Sequence, residues 1–248
     1  MNNQEMPKAK EEKDQSVFDT PEKIKRIKLR VNNLIKDILE KKPETLIFLD
    51  RGGRPISWIL REAWKQKYPD QKLPPIRFID LGTIKRSLQK QDQFNSGGVF
   101  DEAGLVDKEK IKEISNKVNN DEALVELMKI LYNGSRQSAL LVDDYIGSGK
   151  TMGLAKGFLT HHFPAINFNT YSFFSDMDMI IFRAPKTVNS GVWLGPWMPW
   201  NSDKSYTLMS SDEQSEEELD IVGKTEKDKR ARQKGLELKK EIKQIFSN

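Results

Sequence analysis

Residues 139 to 151 read Ala-Leu-Leu-Val-Asp-Asp-Tyr-Ile-Gly-Ser-Gly-Lys-Thr. An apolar run ends in two adjacent carboxylates, Asp143 and Asp144, and the chain then turns glycine- and hydroxyl-rich. A run of this length suits a strand buried on both faces of a parallel sheet. The Gly147-Ser148-Gly149 turn would then feed a helix starting near Lys150. That order sets two acids at the carboxyl end of a strand, with a ring of backbone N–H groups just beyond. A sugar phosphate fits such a site, its hydroxyls on the carboxylates and its phosphate on the amides and the helix N-terminus.

The nearest rival is a nucleoside-triphosphate P-loop, because Gly149-Lys150-Thr151 matches its last three residues. A P-loop needs a glycine five positions before Gly149, where this chain has Asp144. A carboxylate there would aim negative charge at the phosphates the loop must cradle. A plainer reading has the two acids simply ending a strand and capping a turn. It accounts for the acids but not for the Gly/Ser turn and the Lys-Thr step that follow them in order.

A second segment has the same logic. Leu46-Ile47-Phe48-Leu49 is a short apolar run that breaks into Asp50-Arg51-Gly52-Gly53-Arg54-Pro55. Two glycines let backbone amides approach a ligand closely, while Arg51 and Arg54 supply fixed positive charge in a fork suited to phosphate. Pro55, followed by Ile56, Trp58, Ile59 and Leu60, starts an expected helix. Alone, Arg-Gly-Gly would be read as an ordinary turn. Its weight comes from a second strand-to-helix turn carrying acids later in the chain.

The later segment resembles the phosphoribosyl diphosphate (PRPP) binding motif of type I phosphoribosyltransferases. That signature is a hydrophobic run, two acids, two mostly apolar residues, a small residue, Thr or Ser, then Gly-x-Thr. Leu140-Leu141-Val142, Asp143-Asp144, Tyr145-Ile146, Gly147, Ser148 and Gly149-Lys150-Thr151 meet it in turn. In that family the loop after the first core strand holds the pyrophosphate, and Arg51-Gly52-Gly53 is similar to it. The resemblance implies an α/β fold: a parallel sheet flanked by helices, with a small base-binding hood. It implies a Mg2+-dependent glycosyltransferase that moves ribose 5-phosphate from PRPP to a nucleobase and releases pyrophosphate.

Carried over residue by residue, the resemblance gives Asp143 and Asp144 the ribose hydroxyls and, directly or through water, the magnesium ion. Gly147, Ser148, Gly149, Lys150 and Thr151 take the 5′-phosphate. Arg51, Gly52 and Gly53 take the leaving pyrophosphate, with Arg51 counted among the catalytic residues. Arg183 to Val188 is similar to the segment before the hood, which makes Lys186 or Arg183, with Trp193 and Trp197, the base-binding candidates. One departure matters. Hypoxanthine-guanine members carry an aspartate at the position of Gly147, so that general base is missing here and the acceptor base stays open. A non-catalytic PRPP-binding regulator and a phosphate-ester enzyme on another α/β fold are the competing readings.

The elements that must position these groups can also be read. Thr20-Pro21-Glu22 has the form of a helix start, and Ile24, Ile27, Val31, Leu34, Ile35 and Ile38 recur at helical spacing on a basic helix. Strands are expected at residues 46–49, 76–81, 139–144, 166–174, 180–182 and 192–194, and helices from 55 to 67 and from 149 to 161. Helix, strand, helix, strand points to a parallel sheet with helices on its faces. Residues 84 to 105 form an irregular stretch that reads either as a disordered insertion or, lying in the interval of the family's mobile catalytic loop, as a lid that would exclude water. Residues 106 to 134 read as one or two helices.

At 248 residues, one α/β domain with tails is the simplest organisation. Hydrophobic content of 37% and charged content of 31% fit a normal core with long polar extensions. We assign 1–17 as a disordered polar tail, 18–209 as the phosphoribosyltransferase-like domain and 210–248 as a charged helical extension. In that extension Leu236, Leu238, Ile242, Ile245 and Phe246 form a modest stripe, read as a solvated or oligomerising helix that leaves a homodimer open. The chain has no cysteine, which excludes disulfides and thiol catalysis. Two adjacent histidines, His161 and His162, diverge by about 100° on a helix and make a poor metal site; capping a helix end suits them better. No span approaches a membrane helix and no signal peptide is seen, so a cytoplasmic protein is expected. A net charge of +4, spread over 41 basic and 37 acidic residues, mildly favours an anionic ligand but disfavours nucleic acid as a partner.

Overall fold

The computed structural model describes residues 18, 20–49, 52–79, 109, 112, 137–146, 149–174, 209–211 and 226–247. The first helix, α1, spans Pro21–Lys41. Thr20 caps it by accepting the Lys23 N–H at 3.3 Å, and Pro21 occupies the first turn, where a missing N–H costs nothing. Ile27, Val31, Leu34, Ile35 and Ile38 form the expected buried stripe. The helix closes on Lys42, which takes a left-handed φ of 46° and returns its N–H to Ile38 at 2.8 Å.

Strand β1, Thr45–Leu49, is buried throughout, and it sits between two parallel partners. On one side lies β2, Ile76–Ile79, and on the other β3, Ser138–Tyr145. β4, Asn167–Phe174, continues the parallel ladder beyond β3. Met209–Ser211, β5, adds a short antiparallel edge on β2. The class is thus α/β: four parallel strands in the order β4-β3-β1-β2 with flanking helices. Continuous apolar runs in β1 and β3 follow from burial on both faces.

The chain leaves β1 for β2 in one direction, then returns to place β3 on β1's other side. A parallel crossover is right-handed, so this reversal sends successive helices to opposite faces. α2, Gly53–Lys67, packs with α1 on one face, where Leu46, Phe48, Ile76, Phe78, Leu140 and Val142 meet Ile56, Ile59 and Leu60. α3, Lys150–His162, lies against β3 and β4 and buries Leu154, Ala155, Phe158 and Leu159. Strand alternation divides the core between the two faces.

Two elements differ from expectation. α2 begins two residues before Pro55, because Gly52 serves as N-cap and Gly53 enters the first turn. β3, which ends at Tyr145, carries both acids at its carboxyl end as expected. The C-terminal helix α4, Glu226–Ser247, is not a solvated appendage. Leu238, Ile242 and Phe246 are buried in the same core as α1 and α2, and the Lys239 ammonium lies 4.8 Å from the Trp58 ring centroid. Lysines interrupt its apolar stripe, yet a lysine stem can cover apolar surface while its head stays wet, as Lys239 does over Trp58. The 1–17 tail, the 84–105 lid, the 180–182 and 192–194 strands and the hood lie outside the described residues. So do Asp80 and Leu81, beyond the end of β2, and all of 106–134 except the helical residues 109 and 112. No helix among the described residues is long and apolar enough to cross a membrane.

Ile242 is 1% exposed, so the packing of α4 is directly measurable. We expect Ile242→Ala to lower unfolding free energy by about 2–4 kcal/mol in urea titrations, the usual cost of a core truncation. A change within about 0.5 kcal/mol, typical of surface sites, would return α4 to the solvent.

Candidate functional site

The direction of winding reverses between β1 and β3, and in open α/β sheets ligands bind beyond the carboxyl ends of strands at such a point. Here the two sequence segments meet. A Cβ built on Gly52, just after β1, would overlap the Asp144 carboxylate at the end of β3, standing 2.7 Å from Oδ1 and nearer still to Oδ2. Gly52 has an ordinary helical φ of −66°, so the demand for glycine is one of space, not of backbone conformation. Gly53 is excluded from bearing a side chain for another reason: its Cβ would lie 2.8 Å from that of Phe48, where α2 seats on β1. One glycine admits a carboxylate and the other admits a strand.

The two acids face opposite ways. Asp143 shares a face with Ala139 and Leu141, and Asp144 with Leu140 and Val142, as alternation requires. Asp143 is 8% exposed, and its Oδ1 accepts the Asp144 N–H at 2.9 Å. Asp144 is less buried and turns to the α2 side, against Gly52. Beyond them Gly149 takes φ 75°, a left-handed conformation that favours glycine, and its carbonyl receives the Gly153 N–H at 2.8 Å to begin α3. Both α2 and α3 start on a glycine without a side-chain cap, and neither has an acid in its first turn. Two helix N-termini therefore lie at the carboxyl ends of neighbouring parallel strands, with amide donors that suit anions.

Of the expected site residues, the structure brings together Gly52, Gly53, Asp143 and Asp144, with Gly149 and Thr151 at the start of α3. Lys150 is the first residue of that helix. Arg51, Gly147, Ser148, Lys186, Trp193 and Trp197 lie outside the described residues, as does Arg183. Arg54 does not present an open fork for phosphate. It is 2% exposed, its guanidinium lies 4.8 Å from the Phe78 ring centroid, and it ties the first turn of α2 to β2. Ser172 on β4 was missed. It lies in register with Asp143, and its hydroxyl accepts the Ile146 N–H at 3.1 Å while donating to the Phe174 carbonyl at 2.9 Å. A lone serine in Tyr-Ser-Phe-Phe gives no signal until the strand register is known.

His161 and His162 fall in the last turn of α3, as capping would place them. The His162 ring packs 4.6 Å from that of Phe158, centroid to centroid. Burial, with His161 beside it, holds the His162 pKa below the ordinary imidazole value. Among the described residues no group of three or more His, Asp or Glu gathers for a metal ion.

No protein-family model, curated protein or solved structure matches this chain. The geometry at the β1/β3 edge carries the functional argument by itself.

Two measurements follow. If Gly52 is constrained by Asp144, Gly52→Ala and Asp144→Ala should not be additive. In a double-mutant cycle the alanine at 52 should cost less once the carboxylate is gone, with a coupling of about 0.5–3 kcal/mol. Simple additivity would separate the two residues. For His162, the folded state resists protonation more than the unfolded chain does. Its contribution is complete above the ordinary imidazole pKa of about 6.5 and is lost as pH falls through and below that value. Stability measured from pH 8 down to pH 5 should therefore decline less steeply in His162→Gln than in the parent.

Proposed function

We propose that this chain binds PRPP at the β1/β3 edge and transfers its ribose 5-phosphate to a nucleobase, releasing pyrophosphate. The observation that carries this reading is the close approach of Gly52 to Asp144. Two segments more than ninety residues apart in sequence, each read as half of one sugar-phosphate site, end against each other. An uncapped helix N-terminus lies beside each half.

In the proposed reaction a base nitrogen forms a bond to ribose C1 as the bond from C1 to the pyrophosphate oxygen breaks. The electron pair leaves with the pyrophosphate, and the proton of the base nitrogen passes to water. Asp143 and Asp144 accept hydrogen bonds from the ribose hydroxyls and stabilise the positive charge that develops on the sugar. The amides at the start of α3, with Gly147, Ser148 and Thr151, hold the 5′-phosphate. Arg51 and the amides of Gly52 and Gly53 receive the leaving group, and a bulky residue at 52 would push Asp144 aside.

The donor set fits magnesium. Hard carboxylate oxygens suit the ion, and it is usually held by one or two carboxylates plus substrate phosphates, not by an all-protein cage. Asp144, with Asp143 directly or through water, would hold it, and it would neutralise charge on the pyrophosphate. Gly147 supplies no carboxylate to take the proton from the base, and this favours a second reading, a PRPP-binding regulator without turnover.

A panel of nucleobases with PRPP and magnesium, followed by pyrophosphate detection, decides between them. We expect release with at least one base, and a fall of at least about a hundredfold in Asp143→Asn/Asp144→Asn with the fold retained. Magnesium-PRPP at a hundred times its dissociation constant should stabilise the parent by about 2.7 kcal/mol, a rise of several degrees in Tm. Binding without release identifies the regulator. Neither binding nor release, or full activity in the double variant, rejects the site.

A further inference from the structure

We infer that Ser172 is a positioning residue that ends β3 and fixes the approach of the chain to the start of α3. β3 and β4 pair in parallel from Ser138 with Asn167 up to Tyr145 with Phe174. Ile146 is the next residue, and its N–H is the next donor along the ladder. It does not continue the backbone pairing. The Ser172 hydroxyl accepts it at 3.1 Å and passes its own proton to the Phe174 carbonyl at 2.9 Å. One side chain thus supplies an acceptor for the departing strand and a donor for the strand that stays.

This matters because buried or half-buried backbone groups must find partners. Without the hydroxyl the Ile146 N–H loses this acceptor, and the simplest remedy is direct pairing with β4 that lengthens β3. The chain between Ile146 and the left-handed Gly149 is only two residues long, so a shift of one residue has little slack to absorb it. Ser172 lies opposite Asp143 in the register, on the face toward α3, and so acts on the acid pair and the start of α3 together. The hydroxyl touches no ligand in this account. It fixes where the ligand-binding groups stand.

The ligand half of this inference rests on the proposed PRPP site; the backbone half does not. The test compares Ser172→Thr, which keeps the hydroxyl, with Ser172→Val, which has nearly the same shape and lacks it. Hydrogen exchange at the Ile146 amide is followed in each, and the dissociation constant for magnesium-PRPP is measured by titration. We expect exchange in the valine variant to be at least about tenfold faster, PRPP binding to weaken about tenfold, and threonine to restore both to within about twofold. Tm in the two variants provides the control for general destabilisation. Unchanged exchange in Ser172→Val overturns the inference, as does an equal loss in both variants. If the parent protein does not bind PRPP, the PRPP reading fails while the exchange comparison still decides the role of Ser172.

Discussion

The reversal of winding between β1 and β3 is the constraint on which the remaining structure depends. Once β1 is flanked by β2 on one side and β3 on the other, right-handed crossovers must place α2 and α3 on opposite faces. Both following helices then begin at the carboxyl ends of these strands. Space at that edge is limited, which is why residue 52 has no room for a side chain beside Asp144. The fold brings two helix N-termini to a strand end that bears carboxylates.

That arrangement is precise only if the helix starts on either side are anchored. α2 is held at its first two residues, with Gly53 against Phe48 and Arg54 enclosed over Phe78. α4 presses on α2 from the outside through Leu238, Ile242 and Phe246. A cation at the first turn of a helix opposes the macrodipole, and Arg54 sits there enclosed, its guanidinium over the Phe78 ring. On the other side, the Asp143 carboxylate and the Ser172 hydroxyl each hold a backbone N–H of residues 144 and 146. The last residues of β3 are therefore fixed by side chains as well as by the ladder.

Local signals made much of this legible. Thr20 and Pro21 gave the start of α1, its apolar stripe gave the buried face, and uninterrupted hydrophobic runs located β1 and β3. The acid pair marked the carboxyl end of β3. What escaped depends on contacts between distant residues. Phe78 decides that Arg54 is enclosed, although it lies more than twenty positions away in sequence. Trp58 and the core decide that α4 is buried, while the helix itself is rich in lysine. Ser172 acquires a role only when β4 is aligned with β3, and β5 only by pairing with β2. Propensity and periodicity describe one segment at a time and carry none of this.

The acid pair illustrates the difference between a motif and a site. In sequence Asp143 and Asp144 are equivalent neighbours. On a strand they point to opposite faces, so they cannot meet the same part of a ligand in the same way. Asp143 is nearly enclosed, already accepts a backbone N–H, and belongs to the face covered by α3. Asp144 is more open and lies against the start of α2. For a ligand with anionic groups at both ends, as PRPP has, the α3 side offers amides with Asp143 close by, and the α2 side offers amides with Asp144. The two carboxylates are therefore unequal, one nearly enclosed and holding a backbone N–H, the other set against Gly52. Loss of the first would disturb the shape of the strand end, and loss of the second would remove a ligand contact while leaving that shape in place.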